Sequence, residues 1–383
     1  MNQKELKLNA LPSKRLLSLD TYRGLVMFCL IAAGFGLSKV AENYPDSGFF
    51  DWVKFNTTHP EWASQFRLIG FSLWDMIQPA FMFMVGVSMP YSYGKRKELG
   101  QSWRRRLGHA WLRALILTLL GVFLASSNKP QTVWLFTNVL SQIGLGYGFL
   151  FFLVGKQFRA QLITGASVLI GYWLLMILLP TGLSGFQAHF ANGTSLPQQF
   201  DLWFLNLFPR AEEFTGRDYG TLNFVPAFVT MLMGLMAGQL LKSGNLDESA
   251  KLKRLLVAGA ACLLAGLIWA PICPIVKKLW TPSWALFSGA YVIWLLAILY
   301  WVIDVKGWSR GWTWFFSVVG ANSIAAYFMG QRLKPWTQGT LKTHLPNSIF
   351  EGTWEPFALY TMVALFFWMI LWWMHRNKVF VRV

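Results

Sequence analysis

Apolar runs long enough to cross the roughly 30 Å hydrocarbon core of a bilayer recur along nearly the whole chain, and a soluble fold has no way to bury so many of them. Their approximate limits are 24–40, 70–94, 108–126, 137–155, 160–180, 223–242, 254–275, 282–303, 312–330 and 356–375. Composition agrees with this reading: 55% of the 383 residues are hydrophobic, 17% aromatic and only 13% charged, and the mean hydropathy is +0.41. Those values fall outside the soluble globular range. The expectation is an all-α, polytopic integral membrane helix bundle of about ten transmembrane helices.

The basic residues between the runs set the orientation, because Lys and Arg concentrate in cytoplasmic segments. With the N-terminus inside, the inner segments hold 21 of the 34 Lys and Arg, 11 are spread over longer outer loops, and Arg23 and Arg113 lie within or at the edge of helices. Both termini are therefore expected in the cytoplasm, with 1–22 as the N-terminal tail. That tail has no apolar core of leader-peptide length, so no cleavage is expected. The net charge of +17 then reflects topology and contact with anionic lipid, most plainly in "KRKELGQSWRRR" (95–106). No nucleic-acid recognition module accompanies it, so nucleic acid is not an expected partner.

No linker or low-complexity segment divides the sequence, and a single transmembrane domain over 1–383 is expected. Outer loops near 41–69, 181–222 and 331–355 hold most of the acidic residues and the tryptophans Trp52, Trp62, Trp203 and Trp336. They either build a polar vestibule, with Trp62 facing a substrate, or act as connectors with interfacial anchors. Cys29, Cys262 and Cys273 lack metal or redox spacing, and no histidine belongs to a metal-ligand set, so no metal is expected.

Polar groups inside the runs are few, and each needs a cavity, a partner or a ligand. "RLLSLDTYRG" (15–24) opens the first run with Ser18 as a candidate N-cap and Asp20 and Arg23 three apart. Either Asp20 pairs with Arg23 and Arg15 sets topology, or the guanidinium groups of Arg15 and Arg23 meet the phosphates of a cytosolic ligand. Asp75 lies in "FSLWDMIQPAFMFMVG", where it serves as an ion-pair partner for Arg23 or orients an imidazole at the outer mouth. His59, in the preceding loop, is a solvated surface histidine or a catalytic one. Lys277 and Lys278, in a short outer turn, snorkel or hold an anionic group. Asn322 and Ser323, in "VVGANSIAAYFMG", bond neighbouring helices or contact a ligand. In "NVLSQIGLGYGF" the glycines Gly144, Gly146 and Gly148 permit close helix packing beside Asn138 and Gln142.

Taken in order, "RLLSLDTYRG", "HPEW…LWDMIQPAFMFMVGVSMP", "NVLSQIGLGYGF", "YGTLNFVPAFVTMLMGLMAGQ", "CPIVKKLWTPSWALFSGAY", "GANSIAAYFMG" and "HRNKVFVRV" resemble the heparan-α-glucosaminide N-acetyltransferase family, among the membrane acyltransferases. The resemblance is collinear over nearly the whole chain. It implies an enzyme that takes the acetyl group of cytosolic acetyl-CoA and passes it to an amino sugar or glycan across the membrane. His59 matches the family's catalytic histidine, and Arg15, Asp20 and Arg23 match positions where the coenzyme enters. Two departures stand out: Gly34 occupies the position of an asparagine that partners the histidine in lysosomal members, and Val276 replaces an asparagine before the lysine of "CPIVKK". A bacterial-type member in the cytoplasmic (inner) membrane is implied, and a homodimer is compatible with such a bundle.

An amine acceptor must lose a proton as it attacks a thioester, and imidazole, with an ordinary pKa of about 6.5, suits that task. The expectation is that His59 acts as base or acetyl carrier, that Asp75 orients it, and that Trp62, Lys277, Asn322 and Ser323 contact the acceptor. The alternative is a transporter or flippase for a sugar or lipid-linked glycan, with the same polar residues lining a passage.

Overall fold

A computed structural model of the chain describes residues 16–60, 71–180 and 185–381. Arg15 and Trp62 lie outside the described residues. Helices α1 (Leu17–Ala32), α2 (Leu37–Ala41), α3 (Gly48–Thr57), α4 (Ile77–Glu98), α5 (Trp103–Ser126), α6 (Val139–Phe151), α7 (Phe158–Leu178) and α8 (Leu196–Phe204) come first. They are followed by α9 (Phe224–Lys242), α10 (Glu248–Trp269), α11 (Pro282–Leu299), α12 (Gly311–Ala321), α13 (Ser323–Phe328), α14 (Lys334–His344) and α15 (Glu355–Arg376).

Among the described residues, seven helical stretches are long and apolar enough to cross a membrane: Leu17–Ala41, α5, α7, Thr221–Lys242, α10, Pro282–Val305 and α15. The chain is a polytopic helical membrane protein. The other three expected runs also form helices but depart from a simple span. α4 is less apolar because Gln78, Ser88, Pro90 and Ser92 interrupt it, and it runs through the protein interior, with Pro79, Ala80, Phe81, Met82, Phe83, Met84 and Val87 all buried. α6 has 13 residues. The run 312–330 breaks at Asn322, whose backbone (φ −125, ψ 44) leaves the helical region and separates α12 from α13.

The three long loops carry more structure than their polarity suggests. α3 lies within 41–69 and α8 within 181–222, and in 331–355 a π-helical stretch (Met329–Leu333) continues directly into α14. Trp52, Trp203 and Trp336 are exposed, as interfacial anchors would be. Ser18 is not the cap of α1. The N-cap position is Leu16, and Asp304, from the far end of the α11 segment, accepts the free N–H groups of Leu17 (3.2 Å) and Ser18 (3.3 Å).

Small residues set the closest helix crossings, as expected where lipid supplies no hydrophobic drive between helices. α4 and α9 pack along their length, and a Cβ added at Gly86 would strike the Met231 carbonyl while one at Gly234 would strike that of Phe83. Gly24 of α1 meets the backbone of Phe316 of α12 in the same manner. The colliding atoms are backbone and cannot rotate away. Gly234→Val is therefore expected to destabilise the folded protein by about 3 kcal/mol, the upper range for overpacking, lowering its melting temperature in detergent. A Gly165→Ala variant, where a Cβ finds ordinary contact with Leu232 and Val229, is expected to change little.

Candidate active site

Residues far apart in sequence meet where α4 begins. Ser72 and Asp75 form a capping box around the 3-10 turn Leu73–Met76: the Asp75 carboxylate accepts the Ser72 N–H (Oδ2, 3.1 Å). The Ser72 hydroxyl donates to the Thr58 carbonyl (2.7 Å), and the Asn56 side chain accepts the Leu73 N–H (3.3 Å). Both bonds hold the end of α3 against the start of α4. His59, one residue past Thr58, is thereby set with Nδ1 2.6 Å from Asp75 Oδ1.

Asp75 is buried, and a buried carboxylate needs a counter-charge. Lys277 supplies it from the turn between α10 and α11, with Nζ 3.4 Å from the same Oδ1. The ammonium donates to the Tyr219 hydroxyl (3.1 Å), whose ring it also overlies, and passes 3.2 Å from His59 Nδ1. Nδ1 must carry a hydrogen to bond the carboxylate, so its closeness to Nζ reflects two donors converging on one oxygen. Burial pushes the Lys277 ammonium below the usual lysine range, and Asp75 opposes that shift.

The turn bearing Lys277 is fixed on several sides. Trp280, fully buried, takes a left-handed backbone (φ 48), and its N–H donates to the Lys277 carbonyl (2.9 Å). Such a conformation costs a bulky residue about 1–2 kcal/mol and persists because its surroundings impose it. The Thr281 hydroxyl accepts the Val276 N–H (3.1 Å), and the Asn223 amide donates to the Lys278 carbonyl (2.7 Å). Lys278 pairs with Asp218 (2.7 Å), and that bond holds the Asp218 carboxyl below the usual range.

Tyr219 is bracketed in turn. Asp218 fixes one side, and on the other the Asp201 carboxylate accepts the Thr221 N–H (2.8 Å). Burial pushes the Asp201 carboxyl up to about 6. The buried Gln142 amide donates to the carbonyls of Gly220 (3.3 Å) and Thr221 (3.2 Å), so the polar residue inside the fourth expected run secures this loop. Asn138 caps α6 by accepting the Ser141 N–H.

His59 and Lys277 face a cavity of about 200 Å³. One part of its lining is apolar, with Met27, Leu30, Ile77 and Phe81; another is polar, with Gln78, Gln331 and Lys334. Lys334 is buried enough that its ammonium falls to about 8, and among the described residues it has no ion-pair partner. Gly34 stands close by. Ala33, Gly34, Phe35 and Gly36 all have positive φ (47, 61, 54 and 65), a left-handed turn joining α1 to α2. A Cβ at position 34 would lie 3.3 Å from Thr57 Cβ and 3.7 Å from Trp74, another cavity residue.

Of the residues singled out in the sequence, His59, Asp75 and Lys277 come together. Asp75 does not pair with Arg23, which bonds Asp20 three residues away (3.0 Å). Asn322 is buried, but its amide spans the Val379 carbonyl and the Val381 N–H (both 3.0 Å), tying the C-terminal segment to the helix break. Neither Asn322 nor Ser323 is among the residues lining the cavity. Tyr219, Gln331 and Lys334 carried no signal of their own, although Tyr219 opens the "YGTLNF" motif.

Among the described residues no group of three or more His, Cys, Asp or Glu side chains could hold a metal ion. No family model matches the chain. The human heparan-alpha-glucosaminide N-acetyltransferase is 23% identical over an alignment 443 positions long, covering 98% of this chain and 61% of the human protein. The mouse protein of the same name is 27% identical over 169 residues, 39% of this chain and 25% of its own length. This chain thus spans under two thirds of the length of these curated relatives. The resemblance to this family is thus borne out at low identity, and the chain is similar to the heparan-alpha-glucosaminide N-acetyltransferases over nearly its whole length.

Proposed function

We propose that the chain is a transmembrane acetyltransferase that moves an acetyl group from cytosolic acetyl-CoA to an amino sugar or glycan on the opposite side, with His59 as general base. The observation that carries this reading is the 2.6 Å bond from His59 Nδ1 to a buried, counter-charged Asp75 at the edge of a cavity. With Nδ1 protonated for that bond, Nε2 is the basic nitrogen. It removes the proton from the acceptor amine as the new C–N bond forms, and returns it to the sulfur as the C–S bond breaks. Asp75 fixes the ring and steadies its positive charge between the two transfers. Lys277 and Tyr219 act as positioning residues by holding Asp75.

The cavity lining fits both reactants. Met27, Leu30, Ile77 and Phe81 suit the uncharged acyl arm of a thioester, and Gln78, Gln331 and Lys334 suit a hydroxyl-rich, acidic acceptor. Asp20 and Arg23 lie on α1 before Met27, with Arg15 further back in the chain, and in this reading these residues receive the coenzyme. The reading also has α4, α6 and the broken α12–α13 segment cross with the seven longer stretches. That makes ten spans with both termini cytoplasmic, in a bacterial cytoplasmic membrane, as the distribution of Lys and Arg favours.

Lys334 gives a test of the acceptor's charge. It is protonated below about pH 8 and neutral above. The KM for an amino sugar bearing a carboxylate or phosphate is expected to rise about tenfold as pH passes through that value, the worth of one charge-assisted hydrogen bond. Lys334→Met should show the high KM for the charged acceptor on both sides of that pH, and the KM for free glucosamine should not respond to the variant. Equal KM values for charged and neutral acceptors in wild type and variant alike would remove the acidic acceptor.

A further inference from the structure

A second constellation lies at the far end of α4 from Asp75, about 30 Å away by helical rise. Arg106, His109 and Arg113 follow one another at intervals of three and four on α5 and so share one face. Arg96, in the last turn of α4, places Nη2 2.6 Å from His109 Nε2. A guanidinium only donates, so Nε2 accepts, the imidazole is neutral, and its N–H sits on Nδ1. That Nδ1 is buried with no hydrogen-bond partner, and so are Nε of Arg106 and Nε of Arg113. Arg113 donates from Nη1 to the Tyr147 hydroxyl (3.1 Å) and stacks on its ring, and Arg96 donates from Nη1 to Gln101 (3.3 Å).

Among the described residues no carboxylate forms an ion pair with Arg96, Arg106 or Arg113. The cluster therefore presents three positive charges and several donors without an anionic acceptor. Each buried donor left unpaired costs about 1–3 kcal/mol, so a nearby anion that these side chains turn to meet would offset part of that cost. Guanidinium forks fit phosphate bidentately. The surroundings indicate which phosphate: Trp103 and Trp111 on α5 pair with Phe152, just past α6, and Phe149, in α6, respectively, and all four are exposed aromatic side chains, the pattern of a membrane interface. We propose that the end of α4 with α5 and α6 forms a binding site for the headgroup phosphate of an anionic phospholipid.

This site does not depend on the acetyltransferase reading, and its test needs no activity. The full chain is placed in nanodiscs of phosphatidylcholine, with or without a quarter of phosphatidylglycerol, and melting and lipid retention by native mass spectrometry are compared. Phosphatidylglycerol is expected to raise the melting temperature of wild type by several degrees. Arg106→Gln/Arg113→Gln should lose at least tenfold in phosphatidylglycerol retention, whereas the exposed neighbours Arg104→Gln/Arg105→Gln should retain it. If the first pair does not fold, Arg96→Gln carries the same expectation. Equal losses for both pairs, or no effect of phosphatidylglycerol, would overturn the site. Equal protection by millimolar inorganic phosphate, or by coenzyme A but not its dephospho form, in phosphatidylcholine alone would overturn the lipid assignment.

Discussion

Replacing His59 with alanine is expected to lower acetyl transfer by about 10²- to 10⁴-fold, the usual contribution of a positioned general base. The loss should appear in kcat, with little change in KM for either reactant, because the imidazole acts on a proton in flight. Folding should survive, since the ring is 44% exposed and contributes little buried area. Added imidazole should restore part of the rate, as a small base can enter the space left beside Asp75. Unchanged transfer by a well-folded His59→Ala protein would remove the histidine from the reaction.

The second large effect concerns the pair beneath the histidine. Asp75 and Lys277 are both buried, and removing either leaves the other's charge uncompensated. Breaking a buried pair costs about 3–5 kcal/mol, whereas replacing both partners with neutral groups of similar shape is close to neutral. Asp75→Ala and Lys277→Met are each expected to lower stability by about 3 kcal/mol and slow transfer. The double variant Asp75→Asn/Lys277→Met should regain most of the stability and remain slow, because an amide does not steady an imidazolium as a carboxylate does. Recovery of rate along with stability in the double variant would mean that Asp75 and Lys277 only hold the fold. Tyr219→Phe, which removes one acceptor from Lys277, should fall between wild type and the single charge variants.

The bundle was legible because lipid imposes a simple rule on sequence: long apolar segments become helices. Where protein rather than lipid surrounds a segment, the rule loosens, and α4 and the break at Asn322 depart from it accordingly. The polar residues within the runs were legible as groups in need of partners. Their partners were not, because tertiary contact is invisible to local pattern. Gln142 finds the loop of Gly220 and Thr221, and Asn322 finds the backbone of the C-terminal segment. The closeness of His59 and Asp75, 16 residues apart, could be anticipated, but Lys277 reaches His59 across 218 residues.

The glycine at position 34 also finds its meaning in the structure. Its left-handed backbone suits glycine or asparagine, and the space beside it is bounded by Thr57 and Trp74. Asp75, held by Ser72 and Lys277, occupies the Nδ1 side of the imidazole.

At this site an acetyl group passes directly from a thioester to an amine, with His59 carrying the proton. The most direct measurement is release of free thiol from acetyl-CoA by the purified protein in detergent, with and without glucosamine-type acceptors. The expected result is acceptor-dependent thiol release that disappears in His59→Ala. Absence of thiol release across acceptors, together with sugar uptake by vesicles containing the protein and no need for coenzyme A, would contradict it and identify a transporter.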